Sequence, residues 1–248
     1  MIIDGKKIAE EILDGLHGAY LPAGQAGTLG VVMNLQNPAS DSFVKMKERA
    51  AARAHVRVLR YAPEDIDRAL QCDGTLVQLP IENAEVLIAK IPPDKDVDAL
   101  GAYPLVRPPV AEAIAEILTR ARVEVKNKKA VVVGAGKLVG LPAAALLREC
   151  GADVSIITQS RGSLEELKNA DIVVLGAGDP GFVKPEMLKP GVVLIDAGTS
   201  EQSGKLAGDA DPACAEVASL FTPVPGGVGP IAVAMLFKNL FTLAEQKK

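Results

Sequence analysis

Four stretches hold residues whose type and spacing could do chemistry. In "ASDSFVKMKERAAARA" (residues 39–54) Ser40 is placed to cap a helix, and Phe43 and Lys47 stand one turn apart on one face while Lys45 points elsewhere. A lysine held beside an aromatic ring is a candidate for proton transfer; a lysine on a helix is ordinarily a solvated charge. "LVQLP" (76–80) puts polar Gln78 near the C-terminal end of an apolar strand, the edge at which α/β sheets bind ligands. "PPDKDVDAL" (92–100) gathers Asp94, Lys95, Asp96 and Asp98 just before a loop. Taken singly, each has a structural reading: a solvated lysine, a sheet-edge cap, an exposed charge cluster.

The fourth is "VVVGAGKLVGLPAAALL" (131–147), which sets Gly134, Gly136 and Gly140 between a strand and a helix, with Lys137 inside the loop. The spacing is one residue longer than the common dinucleotide fingerprint, and the physics is the same. Small residues let the backbone approach a pyrophosphate, and a helix N-terminus offers N–H groups and a positive dipole end. The next strand ends "TQSRGS", with Ser160 and Arg161 where an acidic residue would select NAD. A hydroxyl and a guanidinium suit a 2′-phosphate, so NADP is the expected cofactor.

The elements that must position these residues alternate regularly. Strands are expected at 28–35, 56–61, 74–80, 128–136, 153–158, 171–177 and 191–198. Helices are expected at 6–16, 40–54, 62–70, 82–91, 109–121, 138–150, 163–168 and 230–245. Such alternation predicts an α/β protein with mostly parallel sheets covered by helices. The Pro-rich "AYPLVRPP" marks a break between two halves.

Composition agrees. The 248 residues are 48% hydrophobic with no Trp, enough for a sizeable core of one or two domains built from Ala, Val, Leu and Ile. A net charge of −4 without a basic block argues against nucleic acid as a partner. Cys72, Cys150 and Cys214 lie far apart, read as buried thiols in a reducing compartment, and only His17 and His55 could assist a metal, so none is expected. The N-terminus lacks a signal-peptide pattern and no apolar run approaches membrane-spanning length, which points to the cytoplasm.

A last motif, "TPVPGGVGPIAVAML" (222–236), joins the others into a resemblance. With "DGKKIAEEI", "NPAS", "FVKMK", "GTLVQLP", "DKDVD", "VGAGKLVGLP", "DIVV", "GVVLIDAG" and "GKLAGDAD" in order, nearly the whole chain resembles the bifunctional methylenetetrahydrofolate dehydrogenase/cyclohydrolase family. The resemblance implies two α/β domains around a cleft: a catalytic, folate-binding domain of residues 1–108 plus 230–248, and a Rossmann-type dinucleotide-binding domain of 109–229. It implies oxidation of 5,10-methylene-tetrahydrofolate with NADP+ and hydrolysis of the methenyl product to 10-formyl-tetrahydrofolate. Lys47 matches the catalytic lysine, Gln78 its partner, and Asp98 the carboxylate facing the pterin. Ser40, Phe43, Pro225, Gly226 and Gly227 match positions lining the folate and nicotinamide. The resemblance also implies a homodimer.

Three departures stand out. Phe43 replaces the family's tyrosine, keeping the ring without its hydroxyl. The segment after Asp98 is short, with Ala99 in place of a glycine. The glycine loop opens Gly134-Ala135-Gly136 where the family has Gly-Arg-Ser. The alternatives are therefore a dehydrogenase with weak or absent cyclohydrolase activity and a nucleotide-binding protein without turnover. On architecture alone, a shikimate-dehydrogenase-like oxidoreductase is also compatible.

Overall fold

Strands buried on both faces need continuous apolar runs, and this sequence supplies them in two sets. The computed structural model describes residues 1–16, 27–202 and 205–246; His17 lies outside them. After α1 (Gly5–Leu16), the first half folds as β1 (Gly27–Val32), α2 (Pro38–Arg53), β2 (Val56–Tyr61), α3 (Ile66–Ala69), β3 (Gly74–Val77) and α4 (Ala84–Ala89). Its three strands lie parallel in the order β2-β1-β3. Side chains alternate across this sheet. Leu29, Val31 and Leu76 join Leu13, Val44 and Phe237 in one core, while Val32 and Val77 meet Ile66, Leu87 and Ile88 on the other face.

The second half runs α5 (Pro109–Arg120), β4 (Lys129–Val133), α6 (Gly140–Glu149), β5 (Asp153–Ile157), β6 (Ile172–Leu175) and β7 (Val193–Asp196). A hairpin of β8 (Ser200–Gln202) and β9 (Lys205–Ala207) follows, then β10 (Leu220–Phe221) and α7 (Val228–Glu245). Five parallel strands form a sheet in the order β10-β7-β6-β4-β5. The hairpin, β10 and two short 3-10 turns at Pro185–Met187 and Pro212–Glu216 are additions to the elements expected from sequence.

Two compact units result: residues 9–109 with 233–248, and residues 1–8 with 110–232. Relative to the division expected from sequence, residues 1–8 change sides, and the other boundaries move to 109/110 and 232/233. Backbone bonds explain this: Ile3 N–H donates to Phe221 O, Phe221 N–H to Met1 O, and Gly5 N–H to Gly226 O. Residues 1–3 thus continue the five-stranded sheet beyond its edge strand.

Two expectations need correction here. Helix α7 does reach the length and mean hydropathy (1.3) of a membrane span. Its apolar surface is explained by burial, because Ala234, Leu236, Phe237, Leu240 and Leu243 fill the core of the first unit. Cys150, expected to be buried, is exposed at the end of α6, whereas Cys72 and Cys214 are buried.

Candidate active site

The side chain that starts α2 is Asn37. Its Oδ1 accepts from Ser40 N–H at 3.2 Å, and Pro38 follows at a first-turn position that needs no N–H. Ser40, expected as the cap, therefore lies inside the first turn. It is fully buried, and its Oγ has no hydrogen-bond partner among the described residues. A buried hydroxyl left unpaired costs about 1–3 kcal/mol. Two turns further along α2 lies Lys47, with half-buried Phe43 one turn before it.

Lys47 Nζ donates to Gln78 Oε1 at 2.8 Å. Gln78 follows directly after β3, and its N–H donates to Val32 O at 2.8 Å, so it sits at the C-terminal edge of the three-stranded sheet. Its Nε2 donates to Leu79 O at 2.9 Å. That bond settles the orientation of the amide, because only Oε1 is then left for a lysine that can solely donate. Burial lowers the proton affinity of Lys47, with the charge of Asp98 opposing the shift. Burial also pushes Asp98 up to about 6, against Lys47 and with Asp96. Lys47, Gln78 and Asp98 are thus one electrostatic group. Lys45, expected to be solvated, is an exposed partner of Asp41 at 2.8 Å.

The short segment carrying Asp98 is tied down by two residues that sequence reading did not single out for that role. Asp96 is buried, and its Oδ2 accepts from Gly101 N–H at 2.7 Å. Asn239, far away on α7, donates from Nδ2 to Val97 O (3.0 Å) and Arg107 O (2.9 Å). Ala99 adopts φ 55°, the left-handed conformation in which a glycine would be relaxed.

In the second unit the glycine loop joins β4 to α6 at the C-terminal edge of the five-stranded sheet. Gly134 has φ 103°, and a Cβ there would fall 2.4 Å from Gly176 O. A Cβ on Gly140 would fall 2.0 Å from Gly134 O. Both glycines are therefore required by backbone packing within the protein itself. Gly136 has nothing within 4 Å of a notional Cβ, so the loop presents open space there, and Lys137 beside it is exposed. The start of α6 is poorer in donors than expected from sequence, since Leu141 N–H is taken by Gly136 O and Pro142 has no N–H.

Ser160 and Arg161 are exposed in a tight turn after β5, closed by Thr158 N–H to Arg161 O (2.8 Å) and Arg161 N–H to Thr158 O (3.2 Å). Because β5 pairs with β4, this turn stands at the same sheet edge as the glycine loop. Open space at Gly136 with a hydroxyl and a guanidinium on the neighbouring strand end fits a phosphorylated dinucleotide. The loop of Pro225, Gly226 and Gly227 belongs to this unit as well. Gly226 has φ 109° and faces open space; Gly227 N–H donates to Pro223 O at 2.7 Å. Among the described residues no group of three or more His, Cys, Asp or Glu could hold a metal ion.

Two family models match the chain. The catalytic-domain model of tetrahydrofolate dehydrogenase/cyclohydrolase matches residues 3–98, and the NAD(P)-binding-domain model of the same enzymes matches residues 108–248. The chain is 36% identical over 276 aligned positions to the bifunctional protein FolD of Methanospirillum hungatei, covering 100% of this chain and 98% of that protein. Among solved structures, the Campylobacter jejuni FolD superposes with a TM-score of 0.91 at 28% identity, covering 100% of this chain and 99% of the other. The Trypanosoma brucei FolD, solved with NADP cofactor and an inhibitor, gives 0.90 at 30% identity, covering 100% and 98%.

Proposed function

Because the chain belongs to the tetrahydrofolate dehydrogenase/cyclohydrolase family, we propose that it oxidises 5,10-methylene-tetrahydrofolate with NADP+ and hydrolyses the methenyl product to 10-formyl-tetrahydrofolate. The observation that carries this reading is the Lys47–Gln78 hydrogen bond at the sheet edge, with Asp98 in electrostatic reach. Bound NADP+ would supply the acceptor for the hydride of the methylene carbon. Gly134, Gly136, Lys137, Gly140, Ser160 and Arg161 hold it, and Arg161 favours the 2′-phosphate. Most of the acceleration of that step comes from alignment of the two reactants.

Hydrolysis falls to the chain's own groups. Water adds to the methenyl carbon and gives up one proton, N5 takes one, and as the C–N5 bond breaks the new hydroxyl becomes the formyl carbonyl and releases its proton to solvent. Lys47, less basic than a free lysine, can carry the proton that N5 takes, and Gln78 directs its Nζ. The Asp98 carboxylate accepts paired hydrogen bonds from the 2-aminopterin edge; Ser40 Oγ and the Phe43 ring bind the folate beside it. Pro225, Gly226 and Gly227 contribute to substrate binding. The unit of residues 9–109 with 233–248 serves the folate, and that of 1–8 with 110–232 the dinucleotide. The working form is a cytoplasmic homodimer with no nucleic-acid or membrane partner. A second reading, weak hydrolysis beside intact oxidation, is favoured by the missing hydroxyl at Phe43.

A coupled assay tests the proposal by following methenyl absorbance and 10-formyl product together. Lys47→Met should cut hydrolysis at least about 100-fold, the range of a lost general acid–base. Wild-type hydrolysis by that variant would overturn the assignment.

A further inference from the structure

Two buried carboxylates in the second unit have no part in the chemistry above. Asp209 is fully buried, and its carboxylate accepts three consecutive backbone N–H groups after β6: Ala177 at 2.7 Å, Gly178 at 3.2 Å and Asp179 at 2.9 Å. Asp196, at the end of β7, is buried in the same way. It accepts from Gly198 (3.0 Å), Asp209 (3.2 Å) and Ala210 (2.8 Å). Burying a carboxylate is costly unless it is paired or fully hydrogen-bonded, and here backbone N–H groups supply the hydrogen bonds.

The two are fitted to each other. A Cβ on Gly198 would fall 2.2 Å from Asp209 Cγ, and one on Gly208 would fall 2.2 Å from Asp196 Oδ2. Asp196 thus fixes the backbone of Asp209, and Asp209 fixes the loop after β6. Ser200 Oγ braces that loop from outside by donating to Gly178 O at 2.7 Å. The loop in turn backs the dinucleotide site. Gly176 O is the atom against which Gly134 packs, and a Cβ on Gly176 would fall 2.5 Å from Val139 Cγ1. Asp196 also reaches the Pro/Gly loop, since its N–H donates to Thr222 Oγ1 at 2.7 Å and Thr222 packs against Gly227.

We propose that Asp209, held by Asp196, is a positioning residue for the dinucleotide: its carboxylate sets residues 176–179, and through them the glycine loop at Gly134–Gly140. The inference rests on the cofactor reading above and assigns to it residues that never touch the ligand. A carboxylate suits the place because it only accepts; an asparagine would turn an N–H toward one of three N–H groups.

The test uses the full chain and equilibrium binding of NADPH, followed by its fluorescence, beside hydrolysis of added methenyl-tetrahydrofolate without cofactor. Asp209→Asn should raise the NADPH Kd at least about tenfold, close to 1.4 kcal/mol, and leave cofactor-free hydrolysis at the wild-type rate. Ser200→Ala, which removes only the outer brace, should raise it roughly threefold. NADPH binding as tight as wild type in Asp209→Asn overturns the inference. If Asp209→Asn loses hydrolysis as well, the fold has failed and Ser200→Ala decides: weaker NADPH binding supports the inference and unchanged binding overturns it. A wild-type chain that binds no NADPH would instead sink the cofactor reading and the inference with it.

Discussion

Phe43 stands one turn before Lys47 on α2 and brings a ring without a hydroxyl. The ring can still stack on a pterin or aminobenzoyl group, so oxidation keeps its platform, while hydrolysis lacks a donor beside the lysine. Phe43→Tyr should raise the hydrolysis rate several-fold and leave oxidation within about twofold, read in the same coupled assay. No gain in hydrolysis would show that the hydroxyl was not limiting. Asp98 sets the response to acid. Burial favours its neutral form and lifts it to about 6, while Lys47 pulls the other way. Only the carboxylate can accept two hydrogen bonds from an aminopterin edge. The folate KM should therefore climb as pH falls through about 6, by nearly tenfold at pH 5, with the NADP+ KM unmoved. Asp98→Asn should show a high KM with no acid limb; a limb that persists in this variant assigns it to another group.

Elements hold the site through close backbone contacts as much as through side chains. Gly5 opens α1 where a Cβ would fall 1.8 Å from Gly227 O and 2.6 Å from Gly226 O. Both obstacles are backbone, so Gly5→Ala must push the N-terminal segment off the Pro/Gly loop. It should cost about 1–3 kcal/mol and lower the oxidation rate, measured by thermal unfolding and steady-state kinetics. A variant with wild-type Tm would show the loop to be independent of α1. Most parallel strands were legible as apolar stretches between turn residues, and β1, β4, β6 and β7 fall where Val, Ile and Leu concentrate. Lys47 and Gln78 could be paired because helical spacing and a strand end each placed one of them. Asn239 could not be found this way, since it meets Val97 across 142 residues of sequence. Asp209 reaches Ala177 across 32. Two-residue β10 and the small β8–β9 hairpin are too short to show a period. The start of α2 was within reach, because Pro38 after Asn37 is a first-turn signal that Ser40 lacks.

Across the molecule the buried and half-buried acids share one direction. Asp98 in the first unit and Asp196 in the second are both pushed up to about 6 by burial, and burial raises Asp96 and Asp209 too. A group whose folded pKa exceeds its unfolded value binds protons more tightly in the native state. Its contribution to stability is complete below the unfolded pKa of about 3.8 and is lost as pH rises through about 6. Asp41 and Asp171 are shifted down by surface ion pairs, and Asp211 by the Ala213 N–H together with Lys184, so their contribution is present above that value and fades only below it. These pairs are exposed and weigh little. On these shifts stability should rise as pH falls from neutrality through about 6. From pH 7.5 down to 5 each of Asp98 and Asp196 should add on the order of 1–2 kcal/mol, raising Tm by several degrees in calorimetry. Asp98→Asn and Asp196→Asn should each flatten part of that rise, one in each unit. A Tm that falls steadily over the same interval would mean that the surface pairs outweigh the buried acids. The acids that make neutral pH less than optimal for folding include the proposed pterin ligand and the residue that holds Asp209. Stability is thus given up where binding needs a buried negative charge.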